Sequence, residues 1–261
     1  MTLIRHELRR GWKSLLIWTG SISAFLVICV FIFPEMKGEM ETISSTFASM
    51  GAFTKAFGMD TMNFGSLIGY YGVECGNTMG IGGALFAALL GISALSREEK
   101  DGTAELLLTH PLSRAEIVTG KLVALLLQIV ILNAVAFLLA VGSVACIGEA
   151  IPWKVIGLMH FSFFLLQVEL ACICFGISAG IRRGSAGIGL GLAFVLYFMN
   201  IVANLSEKLE FLKVITPFGY TDASDIIPGE SLQGGRILVG MLFAAAGVAL
   251  AYRVYCRKDI R

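Results

Sequence analysis

Leu122–Gly148, LVALLLQIVILNAVAFLLAVGSVACIG, runs for 27 residues without a charged side chain. The hydrocarbon core of a bilayer is about 30 Å thick and a helix rises about 1.5 Å per residue, so roughly 20 apolar residues cross it. No water is present there to satisfy free amide groups, and a helix satisfies them internally. The stretch therefore reads as a spanning helix. Working outward, Ser14–Pro34, Cys75–Ser96, Val155–Ile181, Gly184–Ser206 and Ile237–Cys256 have the same character, and only Glu169 and Arg253 are charged in all six. Arg253 lies close enough to a helix end to extend its head into water. The predicted fold class is all-α, a polytopic membrane protein with six transmembrane helices. The first stretch is expected to stay as a helix. It is too long for a signal peptide and lacks a small-residue cleavage site followed by a soluble domain.

Orientation follows from lysine and arginine near helix ends. Arg5, Arg9, Arg10, Lys13, Arg97, Lys100, Arg114, Lys121, Arg182, Arg183, Arg253, Arg257, Lys258 and Arg261 fall on one side and make 14 of the 20 basic residues. Lys37, Lys55, Lys154, Lys208, Lys213 and Arg236 fall on the other. Both termini are predicted to be cytoplasmic. The net charge of +1 offers nothing to nucleic acid. The cysteines do not form a disulfide framework. Cys29, Cys146, Cys172 and Cys174 lie in or at the edge of helices, Cys256 faces the cytosol and Cys75 is near the outer surface. Cys172 and Cys174, two apart on a helix, point in different directions, so no shared metal site is expected.

The most informative water-facing segment is Ser96–Lys121, SREEKDGTAELLLTHPLSRAEIVTGK. After the Asp101-Gly102 turn, Thr103–Thr109 reads as a short helix that Pro111 ends. Ser113-Arg114-Ala115-Glu116 matches a capping box at the start of the third long helix. The outcome is a bent handle joined rigidly to a membrane helix, a shape suited to passing a push from a soluble partner into the bilayer. The same residues also suit a well-capped turn with no partner.

Glu98, Gly102, Thr103, Glu105, Leu106, Leu107, Pro111, Ser113, Arg114, Ile117, Gly120 and Lys121 together resemble the signature of ABC-2 type transporter permeases. The pattern is E-x-x-x-G-T-x-E-x-L-L-x-x-P-x-S-R-x-x-I-x-x-G-K. Six spans and cytoplasmic termini extend the resemblance over residues 1–261, read as a single transmembrane domain. The resemblance implies that residues 1–13, with Leu3, Ile4, Leu8 and Trp12 on one face, form an amphipathic connecting helix at the cytoplasmic interface. It implies that 96–121 is a cytoplasmic coupling loop, with a coupling helix that docks onto a separate ABC ATPase subunit, and that 35–74 and 207–236 are extracellular segments. It implies a second permease copy, identical or a sister, and the plasma membrane of a bacterium as location. The expected function is that of the permease subunit of an ATP-driven exporter of an amphipathic peptide, antibiotic or lipid-like cargo. The chain is expected not to be an enzyme, to bind no cofactor or metal, and to leave ATP and Mg to the partner. Gly120-Lys121 is followed by Leu122 and lacks the upstream glycine of a phosphate-binding loop. The alternative is a membrane-embedded enzyme or a channel acting without an ATPase. The first needs a catalytic motif in its proper setting: H-E-x-x-H is absent, and Gly176-Ile177-Ser178-Ala179-Gly180 has the G-x-S-x-G spacing but lies inside an apolar span rather than at a strand-to-helix turn.

Three further features carry expectations. Glu169, an acid deep in a span, costs about 2.5–3.5 kcal/mol on insertion scales. Counting residues puts it level with Gln128, so the two are predicted to hydrogen-bond or to line one cavity. Gln128, Asn133 and Glu169 are the candidate pathway residues, with His160 a further polar contact. Gly187 and Gly191 form a small-xxx-small pair and are candidate dimer-interface residues, with packing inside one subunit as the alternative. Met36, Met40, Ile43, Phe47, Met50, Phe53 and Phe57 recur at helical spacing on the outer side, closed by Gly58, and suit either packing or an apolar cargo. Thr216-Pro217-Phe218-Gly219-Tyr220 resembles the family's short outer motif after the fifth span, which shapes the extracellular gate.

Overall fold

The computed structural model describes residues 2–39, 46, 50–59, 62–102, 112–181 and 185–258. Six of its helices are long and apolar enough to cross a membrane. They are α1 (Thr2–Met36), α2 (Leu67–Ala94), α3 (Arg114–Cys146), α4 (Trp153–Gly180), α5 (Ala186–Leu205) and α6 (Gly234–Arg257). No strand occurs among the described residues. The start of α1, the end of α6, the two feet of the α2–α3 loop and the start of α5 gather at one end of the bundle, called here the basic end.

α1 departs from expectation. The amphipathic stretch up to Lys13 is not a separate interfacial helix but the first turns of one 35-residue helix. Nothing interrupts it: the single glycine of that stretch, Gly11, costs about 1 kcal/mol relative to alanine, and tertiary contact offsets that. Leu3 lies over Gly120, where a Cβ would come within 2.8 Å of its methyl, and Gly11 receives Gln128. These two contacts, eight residues apart on each helix, make α1 and α3 parallel and in register.

α4 is the spine, with α2 on one side and α6 on the other, and glycines bring the backbones together. A Cβ on Gly91 would overlap the Ala171 carbonyl oxygen, one on Gly176 would come 2.5 Å from that of Gly247, and one on Gly247 would overlap that of Cys172. α2 contains a π-helical turn at Thr78–Gly82. Just before it, the Asn77 amide and the Thr78 hydroxyl donate to the carbonyls of Val73 and Glu74, both at 2.9 Å. Such back-bonding competes with the helical ladder, and three glycines in the next stretch let the register slip.

All six cysteines are free, and Cys75 is fully buried within the bundle. The segment between α5 and α6 is recessed. Gly240 sits against Glu169 although Glu169 is sixteen residues into α4 and Gly240 only six into α6, so α6 begins about 15 Å deeper than α4. The short turn Pro217–Tyr220 fills the space above it and all four of its residues are buried. Gly58 closes helix Ala52–Ala56 in a left-handed conformation that suits glycine, φ +65°. Met40, Ile43 and Phe47 of the expected outer stripe lie outside the described residues.

Candidate functional site

The basic end is held by ion pairs centred on Lys121, in the second turn of α3. Its ammonium donates to Glu98 at 2.6 Å, to the Ala94 carbonyl at 2.8 Å and to Glu7 at 3.2 Å, which uses all three of its protons. The Lys121 and Glu98 side chains are only 2% and 7% exposed. Arg10 of α1 donates to Glu98 at 3.3 Å and to Asp101 at 2.6 Å. Four pieces of chain, α1, the end of α2, helix Arg97–Lys100 and α3, are thereby joined around the buried Lys121–Glu98 pair.

The other foot of the loop is fixed as firmly. Ser113 accepts from the Glu116 amide at 3.2 Å while its own amide donates to Glu116 at 2.7 Å, so the expected capping box is formed. The planar Arg114 guanidinium donates to the carbonyls of Tyr255 and Lys258 at the end of α6. Lys258 in turn pairs with Glu99 at 2.7 Å and donates to the Ile181 carbonyl. Gly102 stands at φ +67°, where a left-handed turn requires it. Glu98, Gly102, Ser113 and Arg114 are thus placed at the two feet of the loop. Thr103, Glu105, Leu106, Leu107 and Pro111 lie outside the described residues.

Inside the bundle the expected pair is not made. Gln128 turns toward Gly11 of α1 and donates to Ala124 at 3.4 Å, whereas Glu169 faces α6 and accepts from the Tyr220 hydroxyl at 2.8 Å. Equal depth along two helices does not put two side chains on facing sides, and here they point to different neighbours. Asn133 instead donates to Gln167 at 2.7 Å, and His160 shares a 2.7 Å hydrogen bond with Tyr71. Gln167 and Tyr71 were not singled out from the sequence, nor was Lys121 given a role beyond the motif. For Lys121 a signal existed: Ile117, Lys121, Ala124 and Gln128 share one face of α3, so a lysine interrupts an apolar stripe.

At the far end, Lys213 pairs with Asp222 at 3.1 Å and Asn200 donates to Asp222 at 3.0 Å. Burial pushes the Asp222 carboxyl above the ordinary aspartate range, against the pull of Lys213 and Asn200. Arg236 donates to the Gly219 carbonyl at 2.7 Å and to Asp225 at 3.1 Å, tying the recessed turn to the top of α6. Gly187 and Gly191 are exposed, and no atom lies within 4 Å of a Cβ placed on Gly191. Among the described residues neither glycine is packed against another helix.

The family model described as ABC-2 family transporter protein matches residues 1–260. Among curated proteins, the chain is 27% identical over 182 residues to Probable ABC transporter permease protein NosY of Stutzerimonas stutzeri, covering 62% of this chain and 64% of that one. It is 21% identical over 201 residues to Uncharacterized protein YhcI of Bacillus subtilis (strain 168), covering 67% and 64%. The match spans just under two thirds of the length of each of these relatives.

Proposed function

Because this chain belongs to the ABC-2 transporter family and has six helices fit to cross a membrane, we propose that it is the permease subunit of an ATP-driven exporter. It sits in the plasma membrane of a bacterium with its basic end in the cytoplasm, beside a second permease copy. A separate ABC ATPase docks on the loop between Gly102 and Pro111. The supporting observation is the clamp at the feet of that loop. A push on it reaches α1 through Arg10 and Glu98, α3 through Lys121, and α6 through Arg114 and Lys258. Three spans would then tilt together rather than one loop flexing. The cargo is amphipathic, of peptide, antibiotic or lipid-like class, and passes between the two copies. The exposed face of α5 carrying Gly187, Ile188, Gly191, Val195 and Phe198 is the seam we assign to the partner copy.

The test is capture of tagged protein from native membranes. The wild type should bring down an ATPase, and Glu105→Arg with Leu107→Asp should reduce its recovery at least tenfold while leaving elution and helicity unchanged. A well-folded wild type that captures no ATPase would overturn the reading in favour of an enzyme or channel acting alone.

We assign Glu169 a structural part beside that pathway, because Tyr220 caps it from the recessed turn. Glu169→Gln keeps an acceptor for the Tyr220 hydroxyl and should leave transport and cargo-stimulated ATP hydrolysis within twofold of wild type. Tyr220→Phe strands the buried carboxyl and should destabilise by about 1–3 kcal/mol in denaturant unfolding. The opposite order, a silent Tyr220→Phe and an inactive Glu169→Gln, would show that the charge itself contacts cargo.

A further inference from the structure

A cavity of about 500 Å³ opens at the basic end between α1, the last turns of α2 and Ala186 at the start of α5. Its size falls in the range of small-molecule sites, about 300–1,000 Å³. One wall carries the partly exposed Leu89 and Leu90 beside Ser14 and Ser93, and the rim is cationic, with Arg10, Arg97 and Lys100. The three cations are not equivalent. Arg10 is neutralised by Glu98 and Asp101, the latter also in the wall. Glu98 is further engaged by Lys121, and Glu99 by Lys258. Arg97 and Lys100 are exposed and have no ion-pair partner among the described residues. Arg10 and Lys121 face three carboxylates, Glu7, Glu98 and Asp101. With Arg97 and Lys100 the cluster therefore keeps a surplus of about one positive charge among the described residues, carried by two exposed side chains at the rim beside a mixed apolar and hydroxyl-bearing wall.

Depth selects the ligand. α2 has 28 residues, about 42 Å of helix against a core of about 30 Å, and the exposed cations Arg97 and Lys100 follow its end directly, which sets that end at the level of the headgroups. We infer that the cavity holds one anionic phosphodiester amphiphile, its phosphate against Arg97 and Lys100 and its chain along Leu89 and Leu90. The source is an anionic phospholipid of the surrounding bilayer. Free phosphate offers the same charge but gains nothing from the apolar wall. The site is independent of whether an ATPase docks on the neighbouring loop, so failure here leaves the proposed function untouched.

The test uses full-length protein in detergent, titrated with short-chain phosphatidylglycerol, phosphatidylcholine or inorganic phosphate, with bound copies counted by native mass spectrometry. One phosphatidylglycerol should bind per chain, at least tenfold tighter than phosphatidylcholine. Arg97→Gln with Lys100→Gln should weaken it at least tenfold, since each cation near an anionic headgroup contributes about fivefold. Arg5→Gln with Arg9→Gln, which removes two exposed cations of α1 that do not line the cavity, should change affinity less than twofold. Unchanged phosphatidylglycerol binding in the Arg97, Lys100 variant overturns the site. Equal binding of phosphatidylcholine overturns the charge readout, and equal competition by inorganic phosphate overturns the lipid as source.

Discussion

Lys121→Met should destabilise the protein by about 3–5 kcal/mol, because it leaves the Glu98 carboxylate buried without its main partner. Exposed ion pairs are worth about 0–1 kcal/mol, so the same change at the water-facing Lys154–Glu230 pair should be nearly silent. The difference comes from solvent. Around Lys154 water replaces the lost partner, whereas around Glu98 only Arg10, at 3.3 Å and partly committed to Asp101, remains. A second change tests the cause. In Lys121→Met with Glu98→Leu no buried charge is left, and most of the lost stability should return, as when buried ion pairs are exchanged for apolar groups of similar size. Denaturant unfolding followed by helicity in mixed micelles measures all three. If the double variant is no more stable than Lys121→Met, the network acts through its hydrogen bonds to Glu7 and Ala94 rather than through charge balance. Recovered stability without recovered ATPase coupling would separate the clamp's mechanical part from its structural one.

The second large effect is expected at the crossing of α4 and α6. A Cβ on Gly247 would overlap the Cys172 carbonyl oxygen and lie 2.8 Å from its carbon, both backbone atoms that cannot turn aside. Gly247→Ala must push the helices apart and should cost about 1–3 kcal/mol. Gly247→Leu should exceed that and prevent α6 from docking. Gly142→Ala in α3 is the control. No atom lies within 4 Å of its Cβ, and the alanine should be neutral or stabilising by up to about 1 kcal/mol. Unfolding midpoints in a graded detergent series check the order. A Gly247→Ala protein as stable as wild type would mean that the seam is looser than its backbone distances.

Legibility from sequence divided along a physical line. The spans were readable because a bilayer imposes one demand, about 20 apolar residues, that acts on each segment alone. The capping box of Ser113 and Glu116 was readable for a related reason: both partners lie within one turn. The left-handed glycines at 58 and 102 follow from local turn chemistry too. Side-chain partners across helices were another matter. Asn133 met Gln167 and Glu169 met Tyr220, while the pairing of Gln128 with Glu169, argued from depth, did not form. Depth gives one coordinate of a side chain, and the rotation of each helix about its axis gives the other.

That rotation is decided by contacts no single segment contains. The amino-acid pattern determined by itself that the chain is a bundle of six membrane helices, because hydrophobic length and backbone satisfaction are properties of a segment. Only the tertiary structure decided that α1 runs unbroken into its span beside α3, that Pro217–Tyr220 is no surface loop but a recessed turn, and that Glu98 is shared by Lys121 and Arg10. Each depends on which glycine admits which neighbour and which buried charge finds its counter-charge, and those are energies of pairs.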